Sequence, residues 1–182
     1  MENNDTDQSG YTRQPEYRME PQEILSVEKF TFLSVISLGL YDLWWMYKAW
    51  RFFKEKDQLD IMPAMRSLFA IFFIGGLFER ILAYARSKDY PGDYSSAAFA
   101  IGFILLRLLS RLPEPFGYIT LFSFVFLIVP FKALNYAKQH DEELTVFEQQ
   151  SFNSRQIVLV AVGGTLWLLI ILGSIFDLYD NR

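Results

Sequence analysis

Residues 37–48 of the chain read Ser37-Leu38-Gly39-Leu40-Tyr41-Asp42-Leu43-Trp44-Trp45-Met46-Tyr47-Lys48. This stretch closes an apolar run that begins at Phe30 and opens a basic, aromatic segment that ends near Lys56. Trp and Tyr concentrate at bilayer interfaces because their rings are apolar while the N–H or O–H needs water, and Lys and Arg are enriched on the cytoplasmic side. Because both signals coincide here, the stretch predicts the point where the chain meets a membrane.

The composition favours a membrane protein and disfavours an enzyme. Hydrophobic residues make up 52% of the 182 residues and lie in long blocks between charged segments. The chain has no Cys and one His, which excludes disulfides, thiolate catalysis and Cys-based metal sites. We therefore expect no enzymatic activity, no cofactor, no metal site and no nucleic-acid partner.

Five hydrophobic segments predict an all-α integral membrane helical bundle. The segments cover about residues 30–47, 65–84, 97–112, 117–137 and 156–176. Residues 1–22 are polar and acidic and predict a disordered N-terminal tail, because they contain too little apolar surface to offset the entropy of ordering. The membrane domain then covers residues 23–182.

The first segment has two interpretations, because Gly39 lies in the middle of the run and Asp42 follows it. In the first, residues 30–47 cross the bilayer as one helix. In the second, the chain breaks near Gly39 and residues 41–53 lie along the interface. We take the single span as the working prediction. With the basic loop 48–66 in the cytoplasm, loops 86–96 and 138–155 are predicted outside and the C-terminus inside.

Five charged residues within the predicted spans are the candidate functional cluster: Asp42, Glu79, Arg80, Arg107 and Lys132. A charge in a span costs about 2.5–3.5 kcal/mol on insertion scales, so such residues are usually paired or functional. Depth along the helices predicts two ion pairs, Asp42–Arg107 and Glu79–Lys132. The charges either line a polar pathway or substrate site, or neutralise one another and fix the helix register. The second interpretation is favoured, because three of the five are Lys or Arg within reach of an interface.

Two further sets of residues are candidate contact positions. The basic aromatic segment supplies the interfacial or lipid-binding set: Trp44, Trp45, Tyr47, Lys48, Trp50, Arg51 and Lys54. Simple anchoring by the positive-inside rule accounts for the same composition without a ligand. Small residues that let helix backbones approach form the packing set: Gly75, Gly76, Ala98, Gly102, Gly163 and Gly164. Packing within the chain is the favoured role of this set, with a homodimer contact second.

From Gly39 to Lys48 the chain fits the pattern G-[IL]-Y-x-x-[YW]-W-x-Y-[KR]. In this pattern it resembles a family of small multispanning bacterial membrane proteins, a domain-of-unknown-function class. The likeness extends over about residues 29–182 through Met62-Pro63-Ala64-Met65-Arg66, Phe78-Glu79-Arg80-Ile81 and Val129-Pro130-Phe131-Lys132-Ala133-Leu134-Asn135. The resemblance implies a multi-pass protein of the bacterial inner membrane and implies no particular chemistry.

The functional prediction is a non-enzymatic one. We expect a small integral membrane protein that acts as a subunit, scaffold or regulator of another membrane protein, with a dependence on lipid left open. The expected partners are membrane lipids and either another membrane protein or a second copy of the chain. The alternative is a small oligomeric transporter or channel that uses the intramembrane charges as its path.

Overall fold

The computed structural model describes residues 19–109 and 116–180. Most of the predicted tail, residues 1–18, and the end of the predicted third segment, residues 110–112, lie outside the described residues. The protein is 72% helical with little strand. The prediction of a helical fold class is therefore confirmed.

The described residues form seven α-helices, one 3₁₀ helix and two short strands. In chain order these are β1 (Gln22–Ile24), α1 (Val27–Ile36), α2 (Leu40–Lys56), α3 (Pro63–Leu68), α4 (Ala70–Arg86), α5 (Ser96–Leu109), the 3₁₀ helix η1 (Phe116–Phe124), α6 (Val125–Gln139), β2 (Val146–Glu148) and α7 (Ser154–Asp180). The strands pair in parallel, with Gln22 opposite Val146. This pairing was not predicted, because it joins two short segments that are distant in sequence.

The first hydrophobic segment is divided by a reversal between α1 and α2. Leu38 and Gly39 have φ values of 54° and 83°, a left-handed conformation that costs glycine nothing because it has no Cβ. At the end of α1 the Gly39 N–H donates to the Ser34 carbonyl (2.9 Å). At the start of α2 the Tyr41 N–H donates to Ser37 Oγ (2.9 Å). The prediction of one helix over residues 30–47 is therefore wrong, and the alternative with a break near Gly39 describes the chain path.

The C-terminal ends of α2, α4 and α6 meet at one end of the bundle. Lys56 closes α2 and Lys88 follows α4, and both ammonium groups lie 2.9 Å from the carboxylate of Asp141, which follows α6. We call this end, with loops 57–62, 87–95 and 140–145, the polar cap. The opposite end, where α1 reverses into α2, is the turn end.

This arrangement contradicts the predicted alternation of loops across a membrane. Loop 48–66 was predicted inside, whereas loops 86–96 and 138–155 were predicted outside. Lys56, Lys88 and Asp141 come from these three loops and are in direct contact, so the loops lie on the same side of the molecule. The error has two sources, because the chain reverses at Gly39 and turns back again between α2 and α4, so that both of these helices end at the polar cap.

An aromatic core holds α1, α2, α4 and α6 together. Phe30 is fully buried, stacks on Phe131 with ring centroids 4.4 Å apart, and meets Trp45 edge-on at 5.8 Å. The buried positions of α4 recur at intervals of three and four residues, as expected of a helix with one core-facing stripe. Burying each such large side chain contributes about 1.5–3 kcal/mol. The helices from α1 to α6 therefore form one packed body.

Helix α7 differs from the others because it is almost entirely exposed. Within its segment Ser154–Phe176 the most apolar stretch of 18 residues has a mean hydropathy of 2.4, and 6% of that stretch is buried. It contacts α1 where Gly163 meets the Ile36 carbonyl and where Trp167 Nε1–H donates to the Val35 carbonyl (3.2 Å). Within the described residues, Leu121–Gln139 is the other helix long and apolar enough to cross a membrane. Half of that helix is buried, and a core helix of this length passes the same test.

Gly39→Ala should destabilise the fold. An alanine at a positive φ costs about 1–2 kcal/mol, and a Cβ at this position would lie 2.9 Å from Arg107 Nη2. We expect a lower midpoint of thermal unfolding in mild detergent.

Gly76→Ala is the matched control, since an added Cβ there would meet no atom within 4 Å. Within helix α4 this change should leave stability unchanged or raise it by about 1 kcal/mol. Equal effects of the two substitutions would contradict a special role for the turn.

Candidate membrane interface and buried charge clusters

A buried ion pair lies at the turn end. Arg107 Nη2 of α5 lies 3.1 Å from Asp42 Oδ2 of α2 and 3.3 Å from the Gly39 carbonyl oxygen. Asp42 is 1% exposed, and the Arg107 guanidinium lies 5.3 Å from the centre of the Phe103 ring. The structure therefore contains the Asp42–Arg107 pair that residue depth predicts. The pair ties α5 to the reversal between α1 and α2.

The second predicted pair is absent. Glu79 and Lys132 are both exposed, and no ion pair joins them in the part of the chain that the structure describes. Arg80 instead contacts Asp57 in the loop after α2, at 3.4 Å. The prediction is wrong because depth fixes the level of a residue along a helix but not the side that it faces. Phe78 and Phe131, the residues before Glu79 and Lys132, are the ones that face the core.

The polar cap contains a charge cluster that sequence reasoning missed. The Asp141 side chain is fully buried and accepts hydrogen bonds from Tyr84 Oη (2.6 Å), Lys56 Nζ (2.9 Å) and Lys88 Nζ (2.9 Å). Burial raises the pKa of Asp141, but these hydrogen bonds outweigh burial and hold the pKa below its usual range. The cluster joins three helix ends. In the sequence Asp141 only begins an acidic run, and nothing local indicates the two distant lysines.

A buried lysine lies near the same end. Lys138 of α6 is 8% exposed, donates to Gln22 Oε1 (3.0 Å) and lies 4.2 Å from the centre of the Phe52 ring. It lines a pocket of about 150 Å³ together with Lys48 and Arg51. The contact ties β1 to the helices. No local pattern predicts this contact, since a lysine in the last turn of a helix is usually solvated.

Exposed residues change character between the turn end and the polar cap. On α4 the exposed side chains near the turn end are Ile71, Phe72 and Phe73, and Phe72 is 79% exposed. Further along α4 the exposed residues include Glu79 and Arg86. The body of the protein is therefore apolar on the outside at the turn end and charged toward the cap.

The same change occurs on α2 and α6. Helix α2 exposes Leu40 and Trp44 near the turn end, and Arg51 and Lys54 toward the cap. Helix α6 exposes Val125 at its start and Lys132 further on. Separation of exposed apolar and exposed charged residues along the axis from the turn end to the polar cap is not expected of a protein surrounded by water, whereas it is expected of a protein with one end in lipid.

The predicted interfacial residues divide into core and surface. Trp45 and Trp50 are 6% and 1% exposed, so the prediction that they contact lipid is wrong. Trp44 is 40% exposed, and its ring lies 5.3 Å from the Tyr47 ring. The spacing of aromatic residues along a helix does not by itself distinguish a Trp that faces lipid from a Trp that is buried in the core.

The basic residues of the interfacial set lie toward the cap. Lys48 lies 3.9 Å from Glu23, and Arg51 lies 3.1 Å from Glu20 and 2.6 Å from Glu55. Lys54 is exposed. Lys48 and Arg51 therefore have carboxylate partners within the chain, which leaves less of their charge for a lipid headgroup.

Three of the six predicted packing residues lie at helix contacts. A Cβ at Gly102 would meet the Phe126 ring, one at Gly163 would meet the Ile36 carbonyl, and one at Gly75 would lie 3.9 Å from the Ala100 Cβ. An added Cβ at Gly76 or Gly164 would meet nothing within 4 Å, and Ala98 is exposed. These last three are therefore not close-packing positions within the chain.

Two apolar grooves flank the ridge that Leu40 and Trp44 form on α2. The groove between α2 and α7 has a volume of about 290 Å³ and is lined by Leu40, Tyr41, Trp44, Arg155, Gln156 and Leu159. The groove between α2 and α3 has a volume of about 540 Å³ and is lined by Leu40, Leu43, Trp44, Tyr47, Ala64, Ser67 and Leu68. Sequence reasoning missed both grooves, because it did not predict that α3 and α7 lie on either side of α2.

Comparisons with known protein families, with curated proteins and with solved structures find no match to this chain. The resemblance seen at residues 39–48 stays a prediction. No group of three or more His, Asp or Glu side chains in the described ranges 19–109 and 116–180 is arranged to hold a metal. Function is therefore inferred from the turn end, the polar cap, the grooves and α7.

Removing one partner of the Asp42–Arg107 pair should cost nearly as much as removing both. Asp42→Asn leaves a cation at a buried site and Arg107→Gln leaves a bare carboxylate, so each should lower the free energy of unfolding by about 3–5 kcal/mol. The double variant should cost less than the sum of the single variants. Denaturant unfolding in mild detergent measures all three.

The exposed pair Arg86–Asp93 is the control for this cycle. Its atoms lie 2.7 Å apart, and the side chains are 60% and 72% exposed. Removing it should cost less than about 1 kcal/mol. Strictly additive losses at Asp42 and Arg107 would show that the two residues are not coupled.

The Asp141 cluster should lose its stabilising effect in acid. The folded-state pKa of Asp141 is lowered, so its contribution is complete above the unfolded-state pKa of about 3.9 and is lost as pH falls below that value. Asp141→Asn should lower the unfolding midpoint at neutral pH and flatten the decrease of that midpoint as the pH falls below about 4. The exposed Glu142→Gln is the control. If the unfolding midpoint of Asp141→Asn fell with pH as steeply as that of the parent, Asp141 would not be the source of the acid sensitivity.

Proposed function

We propose that this is a bacterial inner-membrane protein that crosses the bilayer through α7 and immerses the turn end of its body in one leaflet. The observation that carries the proposal is α7, whose segment Ser154–Phe176 has 23 residues and contains an apolar stretch of 18 residues of which 6% is buried. At 1.5 Å per residue this segment is about 35 Å long, which is enough to cross a hydrocarbon core of about 30 Å. An apolar helix this exposed requires lipid or another protein around it.

The contacts between α7 and the rest of the chain support an estimate of how deeply the turn end enters the membrane. The Arg155 guanidinium lies 5.9 Å from the centre of the Trp44 ring, and Gly163 meets Ile36 at the turn end. The rise from residue 155 to residue 163 is about 12 Å. With Arg155 at the headgroup level, the turn end reaches about 12 Å into the hydrocarbon and the polar cap stays in water.

This depth accounts for the segregation of exposed residues. Leu40 and Phe72 then contact lipid, whereas Glu79 and Lys132 stay outside the hydrocarbon, where an exposed charge costs little. The arrangement replaces the expected bundle of five full spans with one full span and a partly immersed body. The basic residues of α2 favour a polar cap in the cytoplasm.

We infer a non-enzymatic role for this arrangement, as a subunit, scaffold or regulator of another membrane protein. Every residue of α7 from 168 to 176 is exposed, so this half of the helix offers its whole circumference to a partner helix. Association of two helices inside a membrane depends on packing between such exposed surfaces, since the hydrophobic effect does not drive helices together in lipid. The body then holds the polar cap at a fixed height above the membrane.

The alternative, a small oligomeric transporter or channel, is favoured by one observation. The Asp42–Arg107 pair lies at the end of the body that is proposed to be immersed. The other three predicted charges do not converge on it, because Glu79 and Lys132 are exposed and Arg80 contacts Asp57. A path for solute would have to form between chains.

Photocrosslinking from α7 tests the role. A photoreactive residue at Leu168 or Leu169, which are 63% and 60% exposed, should give one discrete protein adduct in native membranes. The control is Trp167, which faces α1 and should react within the chain. Adducts with lipid alone from both exposed positions would contradict a subunit. An adduct with a second copy, together with solute flux that Arg107→Gln abolishes without loss of assembly, would favour the transporter.

A further inference from the structure

We propose that the two grooves beside the Leu40–Trp44 ridge bind one phospholipid of net negative charge, with its phosphate on Arg155 and one acyl chain on each side of the ridge. The inference rests on the proposed anchoring through α7, and it adds a ligand and a site to it. It is carried by the charge of Arg155, the apolar lining of the two grooves and the hydrogen bonds that already engage Gln156.

Arg155 supplies the charge that a phosphate complements. Its guanidinium forms no ion pair with a carboxylate within the described residues, and its sequence neighbours from Asn153 to Gln156 are uncharged. The planar guanidinium presents paired N–H donors that match two oxygens of a phosphate. The guanidinium lies over the Trp44 ring, 5.9 Å from its centre, and the Arg155 side chain is exposed, so its donors can reach a headgroup. The single positive charge of Arg155, which no carboxylate of the described residues neutralises, therefore complements a lipid headgroup with one net negative charge.

The grooves have the shape that two acyl chains require. Both include Leu40 and Trp44, so the ridge separates two apolar channels of similar direction. Trp44 and Arg155 lie on the cap side of the first groove, and Leu40 and Leu159 lie deeper. In the second groove Leu68, 67% exposed, lies deep beside Leu40. A lipid whose glycerol lies level with the Trp44 indole can place one chain in each channel, and Trp commonly lies at this level in a bilayer.

The Gln156 side chain in the first groove already has hydrogen-bond partners within the chain, which favours an acyl chain over a polar solute. The Gln156 amide nitrogen donates to Gln149 Oε1 (3.1 Å), and Gln156 Oε1 accepts from the Asn153 N–H (3.0 Å). The Tyr41 hydroxyl lies 3.4 Å from the Gln156 amide nitrogen. The donors that a small polar ligand could still meet in the groove are the Tyr41 hydroxyl, which accepts from Gln156, and Arg155 at the edge.

Native mass spectrometry of the full-length protein in mild detergent tests the site. The probe is an equal mixture of phosphatidylglycerol and phosphatidylcholine. We expect the parent to retain one phosphatidylglycerol, with a preference of about tenfold, since both phosphates can accept from Arg155 but the choline of phosphatidylcholine brings a like charge close to the guanidinium. Arg155→Gln should reduce the preference to near unity. Leu159→Trp should fill the groove and reduce retention of both lipids.

Arg66→Gln is the matched control. The Arg66 guanidinium also stacks on a Trp ring, 4.5 Å from Trp50, but Arg66 is not among the residues that line either groove. Its loss should leave the preference unchanged. Equal effects of Arg66→Gln and Arg155→Gln would mean general electrostatic attraction and would overturn the site.

Two further results would overturn it. Equal retention of the two lipids by the parent would remove the headgroup recognition, and displacement of the lipid by soluble glycerol phosphate would mean that the site binds free phosphate. If Arg155→Gln does not fold, Arg155→Lys, which keeps the charge but loses the paired donors, should retain a reduced preference.

Flotation with phosphatidylcholine vesicles separates the two proposals. A chain that floats without the preference overturns only the lipid site, whereas a chain that does not float overturns the anchoring as well.

Discussion

The left-handed reversal at Leu38 and Gly39 is the constraint on which the rest of the structure depends. A continuous helix through this point would be long enough to leave the membrane on the far side. The reversal instead returns α2 alongside α1, so that Lys56 arrives at the same end as Lys88 and Asp141. Arg107 closes the turn from α5 by contacting both the Gly39 carbonyl and Asp42. Together with the return of the chain between α2 and α4, this reversal brings three helix ends to the polar cap.

The two buried charge clusters have complementary places in this architecture. The Asp42–Arg107 pair lies at the apolar turn end, where an uncompensated charge would be most costly. The Asp141 cluster lies at the polar cap, where two lysines and a tyrosine surround one carboxylate. The first holds the reversal closed and the second holds three helix ends together. Both are explained as structural contacts, which agrees with the absence of a continuous row of buried charges among the described residues.

What the sequence predicted well was local or repeated along a helix. The helical class and the apolar α7 follow directly from hydropathy, and Asp42–Arg107 follows from comparing depths. The prediction of a Glu79–Lys132 pair is wrong because the depth of a residue along a helix does not determine which side of the helix it occupies. Trp45 and Trp50 were assigned to the lipid interface because buried and interfacial aromatic residues have the same local sequence pattern. The pairing of β1 with β2 and the contacts of Asp141 with Lys56 and Lys88 join segments far apart in the chain, where no local signal exists.

The most direct test of the account is the sidedness of the loops in native membranes. The chain contains no Cys, so single cysteines at Asp60, Ser87 and Glu142, and one added after Arg182, can each be labelled with a membrane-impermeant maleimide before and after lysis. We expect the first three to react from one side and the C-terminal cysteine from the other. Labelling of Asp60→Cys from the side opposite to Ser87→Cys and Glu142→Cys would restore alternating spans and contradict a body with these three loops at one end.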